Sequence, residues 1–356
     1  MIYLQAMTPS ALRDAVQGIS IEEARKIVGA VHRTDNLPQS VKMVRRSSLE
    51  AVRAAGVMPR LEVSAVHRSR VDPFVKYALL TADGCGIETV RIPLERSGRF
   101  SVCVSSQAGC GLGCVFCATG QMGLGRNLEV WEIVEQVREV RRGLDRSRRE
   151  RVHGVVFQGM GEPLANVDTV IATIRVLCES SAQAIDGRAI TVCTAGLPAG
   201  IRRIACEAPK VRLAISIGSA RPEVRWKIMP VDRVYPLEAV LDAVAEHVRL
   251  TRLAPLWAVT LLAGVNDTDA DACALADCGR RLFEKTGIRP QLSIVPYNPV
   301  IAPARARFGR SDDDRESAFR KVLRESGLSV RKRYSGGWDV NAACGQLASR
   351  QSAMRS

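Results

Sequence analysis

Aromatic side chains make up only 4% of the 356 residues, histidines number four, and no apolar run approaches the ~18 consecutive residues that a membrane-spanning helix needs. The absent run excludes a helical membrane protein, and the 46% hydrophobic content falls instead in short stretches, as in a folded enzyme. The four histidines (His32, His67, His153 and His247) form no cluster along the chain, so a histidine-rich metal site is not expected. The opening MIYLQAMTPSALRDAV lacks a basic start, an apolar core and a small-residue cleavage site, and no secretory leader is expected. These absences together predict a soluble cytoplasmic chain with no membrane partner, whose thiols stay reduced.

Cysteine, by contrast, is plentiful. Eleven is an odd number, scattered over a long chain, and fits metal binding or catalysis better than a disulfide framework. Four of the eleven fall in CVSSQAGCGLGCVFCATG, from Cys103 to Gly120, and three of these are spaced C-x3-C-x2-C at Cys110, Cys114 and Cys117. Three thiolates on one loop can hold three corners of a compact cluster. A structural zinc site would want a fourth ligand close by, and the nearest histidine, His153, lies at the start of a later strand. A cubic 4Fe-4S cluster tolerates a missing protein ligand, and its open iron can bind a small molecule. The spacing favours the cluster, with zinc and plain buried thiols as the other readings. The remaining Cys85, Cys178, Cys206, Cys273 and Cys278 share no pattern and read as buried or incidental.

Charge is the second excess. A formal net charge of +14 favours a polyanionic partner, although single basic runs such as Arg141 to Arg151 and Arg331 to Arg333 read first as solvated faces.

Residues 1–75 read as a small helical module of TPSALRDAV, SIEEARKIVGAVH and SSLEAVRAAG, each opened by a Ser or Thr N-cap. KYALLTADG and GIETVRIPL, within 76–99, read as a β-hairpin. From Phe100 the pattern becomes strand–helix alternation, with six strand candidates: FSVCVSS, HGVVFQG, AITVCTAG, VRLAISIG, LWAVTLLAG and QLSIVPYN. Between them lie stretches with one apolar face, such as Val130, Ile133, Val134, Val137 and Val140. That alternation predicts an α/β fold, a parallel sheet covered by helices. The unusual residues all follow strand ends, where the loops of a barrel converge on an active site, and six units make an open, partial (βα)6 barrel over 100–335. A tail, 336–356, follows.

The three-cysteine loop after the first strand of such a barrel resembles the radical S-adenosylmethionine (SAM) superfamily. The longer strings CVSSQAGCGLGCVFCATGQMGLGRNL, GMGEPLAN and NAACGQLA, in that order, resemble the RlmN/Cfr family of ribosomal-RNA adenine methyltransferases. The similarity covers nearly the whole chain. It implies that Cys110, Cys114 and Cys117 ligate a 4Fe-4S cluster whose fourth iron chelates SAM, and that Gly161 and Glu162 of GMGEP contact SAM. It implies further SAM contacts at Cys193, at Ser216, Ile217 and Gly218, and at Asn298. Two of these segments depart from the family: Cys193, Thr194, Ala195 and Gly196 stand where Ser-Thr-Ser-Gly is common, and Ser216, Ile217 and Gly218 where Ser-Leu-His is common.

The resemblance also makes Cys344 the cysteine that is methylated by a first SAM and then adds its carbon to adenine, at carbon 2 or carbon 8. Cys103 would release the product by attacking the Cys344 sulfur, and Glu88 would be the general base, although a lone strand glutamate reads on its own as exposed. The partners implied are RNA, with 23S rRNA first and tRNA as the alternative, and an electron donor such as flavodoxin or ferredoxin. Two other readings remain: the same chemistry on a peptide, or an iron-sulfur RNA-binding protein without turnover.

Overall fold

The computed structural model describes residues 1–348 apart from 38, 146 and 301–307. Ten strands form one sheet: β1 (Glu62–Arg68), β2 (Val75–Leu80), β3 (Gly86–Pro93), β4 (Arg99–Val104), β5 (Arg151–Phe157), β6 (Ile190–Thr194), β7 (Arg212–Ser216), β8 (Leu256–Leu261), β9 (Gln291–Pro296) and β10 (Ser329–Lys332). Neighbours in the sheet follow chain order throughout. Strands β1 to β4 pair antiparallel, and every pairing from β4 to β10 is parallel. Helices intervene between the parallel strands, and their apolar faces close on the sheet: Ile133, Val134, Val137 and Val140 of helix Val130–Arg142 are all fully buried.

The open α/β partial barrel is therefore present, with all six expected parallel strands and a seventh, β10, at the edge. The antiparallel extension is larger than the expected hairpin. Strand β1 adds a third member from inside the stretch read as helical, where the α-helices among the described residues are Pro9–Ala15, Ile21–Thr34 and Arg46–Ala55. Thr8 and Ser20 cap the first two helices as expected, their hydroxyls accepting the N–H of Ala11 and Glu23. The third has no side-chain cap, because it starts early, after Arg45, and Ser48 donates its hydroxyl to Glu23 at 3.0 Å instead. These helices bury a core of their own around Leu12, Ile27, Val28, Leu49 and Val52.

Between β4 and helix Val130–Arg142 the chain makes a two-stranded antiparallel ribbon, Gln107–Cys110 with Gly123–Asn127. The cysteine loop and a single helical turn, Ala118–Gln121, lie between the ribbon strands.

Candidate active site

Cys110 ends the first ribbon strand, Cys114 sits in the loop, and Cys117 precedes the short helix. All three line one cavity of about 150 Å³ at the C-terminal ends of the parallel strands. Burial pushes the Cys110 thiol up to about 11. Burial and the neighbouring cysteines raise Cys114 as well, and burial raises Cys117. Three thiols that resist ionising together need a cation to hold them as thiolates, a role that a metal centre would fill. Among the described residues no three His, Cys, Asp or Glu side chains group as ligands of a single metal ion. Three thiols without a fourth protein ligand fit a cubic cluster, which tolerates one open iron, better than a structural zinc ion, which takes four ligands.

The same cavity is lined by Gly161, Glu162, Cys193, Ser216, Gly218, Asn298 and Cys344. Backbone dictates much of this. Gly161 has φ +96°, and a Cβ there would stand 2.5 Å from Gln107 Cβ; Gly218 has φ +69°, and a Cβ would meet Met229 Sδ at 2.4 Å. Glu162 is buried, and its two carboxylate oxygens accept the amides of Leu164 (2.9 Å) and Ala195 (2.8 Å), tying the end of β5 to the end of β6. Burial raises its pKa against those two hydrogen bonds. Burial likewise pushes Cys193 up to about 12, with Arg333 opposing.

Ile217 is the exception among the expected contacts. Its side chain packs in the core and does not line the cavity, because alternation along the strand turns it away from Ser216. Its carbonyl accepts from Arg225 Nε at 2.9 Å. Arg225, fully buried and paired with Asp232, also donates to Ala195 O at 2.9 Å, and so braces the ends of β6 and β7 where the two departing segments lie. Nothing in the sequence marked this arginine.

The C-terminal segment closes the site. Ala118 N–H donates to Gly345 O at 2.8 Å, and Thr119 Oγ1 donates to Leu347 O at 2.6 Å. Asn298 Nδ2 donates to Cys344 O at 3.1 Å, while its Oδ1 accepts from Ser335. Asn298 therefore fixes Cys344 in addition to lining the cavity. Cys344 and Cys117 also line a second cavity of about 100 Å³, and there they meet Cys103. Burial, then Cys344 and Cys193, push the Cys103 thiol far up.

Glu88 is not the exposed strand residue that its type suggests. It is 4% exposed, lies 3.0 Å from Lys76 Nζ, and accepts the N–H of Ala348 at 2.9 Å. Alternation places it on the face of β3 shared with Val90 and Ile92, which line the Cys103–Cys344 cavity.

Sequence reasoning missed Arg333, set aside within a solvated run. Half-buried, it donates to Gln158 Oε1 at 3.0 Å and lines the second cavity, where Cys344, Cys193 and Cys103 raise its pKa. Of the cysteines read as buried or incidental, Cys278 is buried, whereas Cys178, Cys206 and Cys273 are exposed.

A partial parallel barrel with three cysteines on the loop after its first parallel strand defines a radical SAM protein. Residues 104–273 match the radical SAM superfamily. The chain is 55% identical, over 96% of its length and 91% of the relative's, to a probable RNA methyltransferase, sce3898, of Sorangium cellulosum. It is 42% identical, over 76% of its length and 75% of the relative's, to the dual-specificity RNA methyltransferase RlmN of Syntrophobacter fumaroxidans. Its fold is similar to a radical SAM methyltransferase from Sphaerobacter thermophilus, with TM-score 0.85, 33% identity, and coverage of 98% of this chain and 99% of the other. The chain belongs to the RlmN/Cfr family of radical SAM RNA methyltransferases.

Proposed function

We propose that the protein transfers a methyl group through Cys344 to a ring carbon of adenine, carbon 2 or carbon 8, in 23S rRNA. The observation that carries this reading is the double placement of Cys344. It lines the cavity of Cys110, Cys114 and Cys117 and also the cavity of Cys103. A mere RNA binder would need neither contact.

Cys110, Cys114 and Cys117 would hold the 4Fe-4S cluster, and Gly161, Glu162, Cys193, Ser216, Gly218 and Asn298 would surround SAM. Together these groups supply a 5'-deoxyadenosyl radical when reduced by a flavodoxin- or ferredoxin-like donor. The protein's own residues do the rest. Asn298, Ala118 and Thr119 hold the Cys344 segment against the cavity that would take SAM. Once the Cys344 methylene has joined the adenine carbon, Glu88, on the face that borders the second cavity, takes the proton from that carbon, and the adduct's odd electron leaves to the flavodoxin- or ferredoxin-like carrier. The Cys103 thiolate then attacks the Cys344 sulfur, a disulfide forms between them, the carbon–sulfur bond breaks with its electron pair staying on carbon, and that carbon takes up a proton, returned by Glu88, to become the methyl on the base. Arg333, between the three thiols, stabilises Cys103 as thiolate for that attack.

The test is anaerobic reconstitution of wild type and Cys344→Ala with methyl-labelled SAM, followed by mass spectrometry of 23S rRNA nucleosides. Labelled methyladenosine from the wild type alone supports the relay. Label on Cys344 but not on rRNA retains the relay and moves the substrate to tRNA or a peptide. No label on either, and no 5'-deoxyadenosine under a strong reductant, refutes catalysis.

A further inference from the structure

A polar cavity of about 250 Å³ opens at the amino-terminal end of β5, the opposite end from the cysteines. Helix Ile21–Thr34 of the N-terminal module and helix Val130–Arg142 both finish there. Five arginines line it: Arg33, Arg138, Arg141, Arg142 and Arg151. Asp35 and Glu150 line it too, and Glu135 and Glu139 pair with Arg138 and Arg142, while Arg60 adds a cation beside Asp35, so cations outnumber carboxylates around the cavity. Asp35 is itself claimed by Arg138 and Arg142, each at 2.8 Å. Among the described residues Arg33 and Arg151 have no carboxylate partner, and both are exposed.

Proton positions in the wall follow from a short chain of bonds. Arg141 donates to Gln183 Oε1, which leaves the Gln183 amide nitrogen to donate to His32 Nδ1 at 2.8 Å. Neutral His32 must then carry its proton on Nε2, and burial with nearby Arg138 and Arg141 holds its pKa down to about 3, so it is neutral. His32 is 6% exposed, and its Nε2 has no hydrogen-bond partner. A buried donor left unpaired is costly, and an arriving acceptor would remove that cost.

We propose that this cavity binds one phosphodiester group of a folded RNA substrate, with His32 Nε2–H, Arg33 and Arg151 as donors. The proposal rests on the reading of the chain as an RNA methyltransferase. The excess of cations, with Arg33 and Arg151 exposed and free of carboxylates, suits the phosphodiester backbone of RNA. Seven residues of β5 separate this end of the sheet from the catalytic end, ~23 Å at ~3.3 Å per residue, too far for one nucleotide to reach both. The substrate is thus gripped at a second point, and RNA shape takes part in its selection.

The test uses the full-length protein with neither cluster nor SAM, so it is independent of turnover. Binding of a 23S rRNA transcript, a tRNA transcript and a short oligoadenylate is measured against salt for wild type, for Arg33→Ala with Arg151→Ala, and for Arg188→Ala with Arg212→Ala as a charge-matched control. In the Arg33/Arg151 variant the affinity for a structured RNA is expected to fall about tenfold, and the slope of log K against log salt to lessen by about 0.9, the value for one phosphate contact. Oligoadenylate binding, the melting temperature and the control variant should be unchanged. Equal losses for structured RNA and oligoadenylate, equal losses in the control, or no loss at all would each overturn the proposal. Histidine-labelled protein gives a second readout: structured RNA should move the His32 Nε2 resonance. If inorganic phosphate moves it and both transcripts do not, the cavity is a small-anion site and the proposal fails. Failure of rRNA methylation with the binding pattern intact refutes only the catalytic reading above.

Discussion

Replacing Glu88 with alanine removes half of an ion pair that scarcely reaches water: the Lys76 and Glu88 side chains are 9% and 5% exposed. Breaking a buried pair on one side costs ~3–5 kcal/mol, because the surviving charge is left without solvent or partner. Losing the acceptor of the Ala348 N–H adds ~1 kcal/mol. Unfolding entropy near ~2.1 cal/mol/K per residue gives ~0.7 kcal/mol/K for a chain of this length, so the midpoint should fall by ~5–8 °C. Thermal unfolding of the reduced apo-protein, followed by far-UV circular dichroism, measures this. Lys76→Met combined with Glu88→Gln removes both charges and should recover most of the loss. A Glu88→Ala variant that melts within a degree of wild type would refute the reasoning. Glu88→Gln alone, folded but without methyl transfer, would separate the proton-accepting role from the structural one.

Asn298→Ala should free the Cys344 segment at a cost of ~1 kcal/mol, seen as about fivefold faster hydrogen exchange across Ala343–Leu347. Gly218→Ala, at φ +69° and with its new Cβ at 2.4 Å from Met229 Sδ, should destabilise by ~1–3 kcal/mol and weaken SAM binding in calorimetry. His247 is fully buried, and burial holds its pKa down to about 4. A depressed histidine contributes stability that is present above its unfolded pKa near ~6.5 and is lost as pH falls toward the folded value, by ~3 kcal/mol at pH ~4. Urea unfolding from pH 7 to 4 should show that slope, and His247→Leu should reduce it. Cys193→Ser should leave methyl transfer within about threefold of wild type, since the exchange preserves size and a donor; a loss of a hundredfold or more in single-turnover assays would give the thiol a role of its own.

The six inner strands were legible because each is mostly buried and reads as a near-continuous apolar run between helical stretches. Strands β1 and β10 were not. Edge strands need no such run: β1 is exposed at most of its positions, and β10 buries only Val330. The grouping of Cys110, Cys114 and Cys117 at one cavity was legible from their spacing, because a three-cysteine loop is local in sequence. Glu88 and Arg333 were misjudged for the opposite reason. Lys76 comes from the neighbouring strand, and the thiols that surround Arg333 come from three other elements, so nothing within a few residues of either revealed its burial. Arg225 was invisible in the same way, its partners being two strand-end carbonyls and Asp232.

The eight residues Asn341–Ala348 complete both cavities, yet they lie more than 220 positions along the chain from the short helix that receives them. A polypeptide broken off before Asn341 would retain every strand of the sheet and all three ligand cysteines. It would also leave both cavities open and the bonds of Ala118 and Thr119 to Gly345 and Leu347 unmade. Synthesis from the amino terminus therefore builds the three-cysteine cavity first and closes it last. On the proposed relay, loss of the carboxyl end would leave the radical-generating half without its methyl carrier.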